Sequence, residues 1–223
     1  MSVEPELSSQ QLLWEYLRPY SIPMGFPRHS IIYAPAQPAT TFYLVQHGQV
    51  SLQLLAANGR VLTLQLVEAG QLFGHAALTS NQQYDTVAEA LRPVQVLAIP
   101  RTELELALDQ HPVLSLHLLH VIGDYRLMIG RRLDEVAFKS VSARLASLLL
   151  EMAGAVAGAV ADEEGPLQLP RRTHQQLAEM VNAYRETVTK VMNQFRAADL
   201  LAIDRSSITL LDPSALREVA QGC

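Results

Sequence analysis

Hydrophobic positions change period twice along the chain. Residues 7–20 carry Leu12, Leu13, Tyr16 and Leu17 at helical spacing, and Pro19 stops them. From Met24 to Pro100 the apolar residues come in short alternating runs between turn residues. Residues 30–33, 41–45, 50–55, 61–66 and 94–99 are the clearest runs, and Asn58-Gly59 is a hairpin signal between two of them. Gly48-Gln49 and Ala69-Gly70 mark further turns. Many short strands at this spacing predict an antiparallel barrel or jelly roll.

Beyond Pro100 the period lengthens to that of helices. A long helix is predicted over about 113–138. Leu114, Leu118, Val121, Tyr125, Met128 and Arg132 step by four and three along it, a heptad seam. Leu119, Ile122, Ile129, Leu133 and Val136 form a second stripe that suits the barrel. A helix apolar on two sides must be covered twice, and a two-fold partner helix is the economical cover for the seam. Residues 139–161 predict another helix, with Leu145, Leu148, Leu149 and Met152 inward, and 162–166 a solvated loop. The expected division is 1–137, with the long helix from about 111, and 138–223.

The stretch 173–196 reads as two short helices around a tight turn at Asn182-Ala183. Leu177, Ala178 and Val181 stripe the first, and Val188, Val191, Met192 and Phe195 the second. Packing the stripes together leaves Arg185, Glu186, Thr189 and Lys190 outward, with Arg185 and Glu186 at the N-terminal end of the second helix. A helix-turn-helix meets base edges there. An Arg fork donates to guanine O6 and N7, a Glu accepts from cytosine N4, and Lys190 reaches a base or a phosphate. Thr173, His174, Tyr184, Thr187 and Thr189 are the candidate backbone contacts. An apolar run at 200–203, a polar turn at 204–207 and residues 208–211 follow as a two-stranded wing, with Arg205 at its tip. The overall reading is an α+β chain: an N-terminal β jelly roll, a long dimerisation helix and a C-terminal winged helix-turn-helix that binds double-stranded DNA.

Charge alters this picture only by region. The formal net charge is −5, but residues 1–137 hold 8 basic and 12 acidic side chains, whereas 165–210 hold 6 basic and 4 acidic. The predicted reader is thus net positive while its partner domain is negative. Cys223 is the only cysteine, which excludes a disulfide framework and a cysteine-ligated iron–sulfur cluster. The acidic N-terminal residues lack a signal-peptide pattern, and no apolar run reaches membrane-spanning length, so a cytoplasmic protein is expected. A cupin-like metalloenzyme needs clustered His and Glu; His29, His47 and His75 are scattered and no H-x-H occurs. No catalytic residue, metal ligand or cofactor is assigned, and no enzyme is expected.

Residues 185–212, RETVTKVMNQFRAADLLAIDRSSITLLD, resemble the C-terminal module of the cAMP receptor protein/FNR superfamily of bacterial regulators, whose recognition helix begins R-E-T-V. F-Y-L-V-x-x-G-x-V at 42–50 resembles a strand-turn pattern of that family's cyclic-nucleotide-binding-type domain. The resemblance implies a homodimeric transcription regulator, an activator, on a palindromic site with TGTGA-like half-sites, working with RNA polymerase. It places Arg185, Glu186 and Lys190 on base-reading positions, and Thr173 and His174 on backbone contacts. Asn182 stands where the family has Gly, and Tyr184 where it has a Ser cap. In cAMP-binding members a G-E-L-G cassette and a later arginine hold the ligand; here Gly74, His75, Tyr84 and Asp85 stand at those places. A carboxylate facing a phosphate repels it, so cAMP binding is not expected. L-T-L-x-L-V at 62–67 and R-E-T-V-T-K-V at 185–191 are similar to effector-independent members of the Thermus–Deinococcus group. That likeness implies DNA binding without a ligand; gating by an unidentified small molecule is the alternative.

Overall fold

The computed structural model describes residues 9–157 and 167–222; the expectations for 1–8, 158–166 and Cys223 lie outside them. The chain runs α1 (Ser9–Leu17), a 3-10 turn, β1 (Ile22–Phe26), β2 (Ile31–Tyr33), β3 (Thr41–His47), β4 (Gln49–Leu55), β5 (Val61–Glu68) and β6 (Leu72–Phe73). After a second 3-10 turn come β7 (Val87–Ala90), β8 (Val94–Pro100), α2 (Arg101–Gln110), α3 (Val113–Phe138) and α4 (Val141–Ala157). Then follow β9 (Leu167–Pro170), α5 (His174–Val181), α6 (Arg185–Ala197), β10 (Leu201–Ile203), β11 (Ser207–Leu210) and α7 (Pro213–Gln221). Two compact units divide at Gly130/Arg131, inside α3, with Arg60–Leu62 grouped in the second.

The first unit is the expected antiparallel β roll. Its sheets are ordered β1-β8-β3-β6 and β2-β7-β4-β5. The pairing of β3 with β8 explains why both strands are continuously apolar. Tyr43 lies opposite Ala98 and Val45 opposite Val96, and all four face the interior shared by the two sheets. Phe42 opposite Ile99 and Leu44 opposite Leu97 point the other way, into a second core with Leu13, Leu17, Leu104 and Ala107 of α1 and α2. A strand covered on both faces has no solvated side to make polar.

Helix α3 corrects the stripe assignment. Leu114 and Leu118, expected in the dimer seam, are buried in that second core, and Val121 packs against it. Tyr125 stacks on His75 of the roll, and Met128 is partly buried. Arg132, the last seam position, donates to Glu135 at 3.5 Å on its own helix. Of the stripe assigned to the barrel side, Ile122 packs against that second core as expected, whereas Leu119 and Leu133 are 63% and 69% exposed. Leu116 and Leu127 are exposed as well. Both stripes satisfy a helical period, so only the tertiary cover decides which faces inward. No described helix is long and apolar enough to cross a membrane.

In the second unit Leu145, Leu148 and Leu149 of α4 are buried, as are the inner residues of α5 and α6. The wing has a third strand beyond the two expected: β9 pairs with β11, Leu169 opposite Ile208, giving the order β10-β11-β9. Helix α7 begins under a side-chain cap, Asp212 accepting from Ala215 N at 2.9 Å.

Candidate nucleic-acid interface

Thr173 starts α5 from an extended conformation. Its hydroxyl accepts from Gln176 N at 3.2 Å, and the Gln176 side chain accepts from Thr173 N at 2.9 Å, a reciprocal capping box. Leu177, Ala178, Met180 and Val181 of α5 and Val188, Val191, Met192 and Phe195 of α6 are buried, so the hairpin closes on the anticipated stripes. Between the helices Asn182 takes φ 51° and ψ 53°, the left-handed turn conformation. Tyr184 then holds the N-cap position of α6 in an extended conformation and offers no side-chain cap.

Arg185, Glu186 and Lys190 are all exposed on α6, where base-reading groups were expected. Asn193 and Arg196 are exposed on the same helix. At 100° per residue they fall within the arc that Arg185, Glu186 and Lys190 span. The sequence reading passed over both, although their spacing from Arg185 was the available signal; an Asn there can bond adenine N6 and N7. Thr187 is partly buried.

Thr189 is partly buried, and its hydroxyl bonds back to its own helix, donating to Arg185 O at 2.9 Å. The same oxygen lies 2.8 Å from Nδ1 of His174. Burial, and then the cations Arg171 and Arg185, lower the pKa of His174 below the ordinary imidazole value.

Arg171 braces the wing. Its N–H donates to Ser206 O at 3.0 Å, and its guanidinium donates to Asp204 O at 3.0 Å and Arg205 O at 3.5 Å. Arg205 is exposed at the tip, where it was expected. Arg171 was not anticipated, because nothing local to the Arg171-Arg172 pair reveals carbonyls more than thirty residues away in sequence.

In the first unit the four cassette positions lie as follows. Gly74 has φ +84°, and a Cβ there would stand 3.0 Å from Thr41 O and 3.1 Å from the Tyr43 ring. His75 stacks on Tyr125 at 4.5 Å between centroids and meets the Phe42 ring edge-on at 5.5 Å. Burial lowers its pKa to about 4 against an opposing pull from Asp85. Tyr84 is buried, donates to Thr41 O at 2.7 Å and lies flat on Tyr33 at 3.7 Å. Burial pushes both tyrosine hydroxyls upward. Tyr33, Tyr43, Phe73 and Tyr84 share the interior core, while Asp85 is exposed. No group of three or more His, Cys, Asp or Glu among the described residues is placed to hold a metal.

Comparison with known proteins agrees with both halves of this geometry. Residues 23–111 match the cyclic nucleotide-binding domain model, and 143–219 match the Crp-like helix-turn-helix domain model. The chain is 30% identical over 195 residues to the global nitrogen regulator of Synechocystis, covering 86% of each chain. It is 31% identical over 201 residues to the transcriptional regulator SdrP of Thermus thermophilus, covering 89% of this chain and 94% of that one. A solved CRP/FNR-family transcriptional regulator of Thermus thermophilus superposes with a TM-score of 0.67 at 30% identity, over 90% of this chain and 99% of that one. The cyanobacterial and Thermus relatives are similar in identity, at 30% and 31%, so the expected closeness to the Thermus type is only loosely supported. With a cyclic nucleotide-binding domain, the long α3 and a winged helix-turn-helix in this order, the chain belongs to the CRP/FNR family of DNA-binding transcription regulators.

Proposed function

We propose that the protein works in the cytoplasm as a homodimer on a palindromic DNA site, and that Arg185, Glu186 and Lys190 read each half-site. The observation that carries this reading is the exposed arc of α6, on which a guanidinium, a carboxylate and an ammonium stand above a fully buried inner stripe. Thr173, His174, Tyr184, Thr187 and Arg205 flank that arc as phosphate contacts. Asn193 joins the reading face. Dimerisation uses the outward side of α3, where Leu116, Leu119 and Leu127 are more than half exposed around Gly123. RNA polymerase is the partner that an activator on such a site engages.

We further propose that DNA binding needs no small molecule. The packing of Tyr84 on Tyr33, amid Tyr43 and Phe73, supports this, because the chain's own rings fill the cassette side of the roll. One observation favours effector gating instead: Nε2 of His75 is buried without a hydrogen-bond partner. Selection of purified protein, with no added ligand, against random duplex DNA tests the proposal. Recovery of a palindrome with half-sites one helical turn apart is the expected result. Selection that succeeds only after cell extract is added overturns ligand independence, and no selection in either case overturns the DNA-reading role of α6.

A further inference from the structure

Three atoms at the foot of α6 bear on where the proton of a neighbouring imidazole sits. The carbonyl oxygen of Arg185 only accepts, so the Thr189 hydroxyl, 2.9 Å away, spends its single hydrogen there. When that hydrogen is spent on the Arg185 carbonyl, Nδ1 of His174, 2.8 Å from the Thr189 oxygen, bonds it as the donor. In the neutral ring this leaves Nε2 as a bare lone pair. His174 is the first residue of α5, one place after the Thr173 cap, so its ring lies at the positive end of a helix beside the reading surface.

We infer that His174 couples DNA binding to the uptake of a proton: its Nε2, held unprotonated by the Thr189–Arg185 relay, can donate to a DNA phosphate only as the imidazolium. This inference rests on the DNA-reading role of α6 proposed above. In the step one solvent proton adds to the Nε2 lone pair, and the new N–H bonds a phosphate oxygen; no other bond changes.

The surrounding charges set the direction. Arg171, from the segment before α5, and Arg185, from α6, are the charged groups that act on the ring, and both oppose its protonation in the free protein. Arg172 beside Arg171, Glu179 on α5, Glu186, Lys190 and Arg196 on α6, and Asp204 and Arg205 at the wing tip complete the charged side chains of these elements. A phosphate entering between Arg171 and Arg185 reverses the field and favours the imidazolium. The bound state therefore holds more protons than the free state, and affinity rises as pH falls.

The test is the affinity of the full-length protein for a duplex recovered in the selection, at fixed ionic strength between pH 8 and pH 6. For wild type, affinity should rise by up to about tenfold per protomer for each unit of pH lowered. His174→Gln, which has no titrating ring, should bind with a much flatter profile. Thr189→Val removes the acceptor of Nδ1–H and frees the neutral ring to carry its hydrogen on Nε2; its profile should flatten while affinity at pH 8 is kept. Nitrogen-15 NMR of the free protein at pH 7.5 reads the relay without DNA and should find the His174 hydrogen on Nδ1. Equal pH dependence in wild type and His174→Gln, or an Nε2-protonated neutral ring, overturns the inference while leaving DNA reading intact. Absence of duplex binding by wild type at every pH overturns the DNA-reading role itself.

Discussion

Arg185 enters the recognition helix at its first residue, exposed and beside Glu186. In the role proposed above, a guanidinium there carries discrimination because its two parallel donors match one base edge, whereas a phosphate contact strengthens every sequence alike. Arg185→Ala should therefore cost about 1–3 kcal/mol against the preferred half-site and little against a duplex substituted at that base pair. Competition binding with the two duplexes measures the difference; an equal loss on both would assign Arg185 to the backbone instead. His75 supplies a second prediction at this scale. Its folded pKa of about 4 lies below the ordinary imidazole value of 6.5, so between those limits the unfolded chain binds a proton that the folded roll refuses. The stabilisation is complete above about pH 6.5 and declines as pH falls toward 4. Denaturant unfolding at pH 7 and pH 5 should show a smaller loss for His75→Phe, which keeps the ring stack on Tyr125 but cannot titrate. Equal losses would mean that His75 charges freely in the folded state.

At the scale of elements, α6 begins without the oxygen that normally closes a helix N-terminus, since Tyr184 makes no side-chain cap. Tyr184→Ser should raise unfolding stability by roughly 1 kcal/mol in denaturant titrations. No gain would mean that the aromatic side chain stabilises the helix start by other contacts. The turn, the two helices and the wing tip were all legible from local spacing, because each depends on neighbours within four residues: the Thr173–Gln176 box, the left-handed Asn182, the stripes of α5 and α6. Some strands that distant pairing defines were not legible: β6, two residues long, forms by meeting β3, β7 by meeting β2 and β4, and β9 by Leu169 meeting Ile208. The brace from Arg171 to the wing is of the same kind. Cassette positions 74, 75, 84 and 85 could be marked in advance, yet the stack of Tyr84 on Tyr33 joins residues fifty-one apart and belongs to the folded roll alone.

For the whole molecule the decisive ambiguity was the orientation of α3. Leu114 and Leu118 fit a heptad seam as well as Leu119 and Leu133 do; a helix carries no local mark of which stripe another element will cover. With Leu114 and Leu118 committed to the core beside α1 and α2, the outward stripe is the surface on which a second copy can pack. Leu119 is 63% exposed and Leu127 55% exposed, so an aspartate at either position is solvated in the isolated protomer and leaves its fold intact. Within a helix-to-helix interface the same aspartate is buried without a partner and opposes its own copy across the two-fold axis. The double variant Leu119→Asp/Leu127→Asp should thus sediment as a monomer while keeping the thermal transition of a folded protomer. Its affinity for the full palindrome should fall to that for a single half-site, a loss of roughly 10²- to 10⁴-fold, because the second half-site is no longer held at high effective concentration. A variant that remains dimeric and binds the palindrome normally would remove the outward face of α3 from the interface.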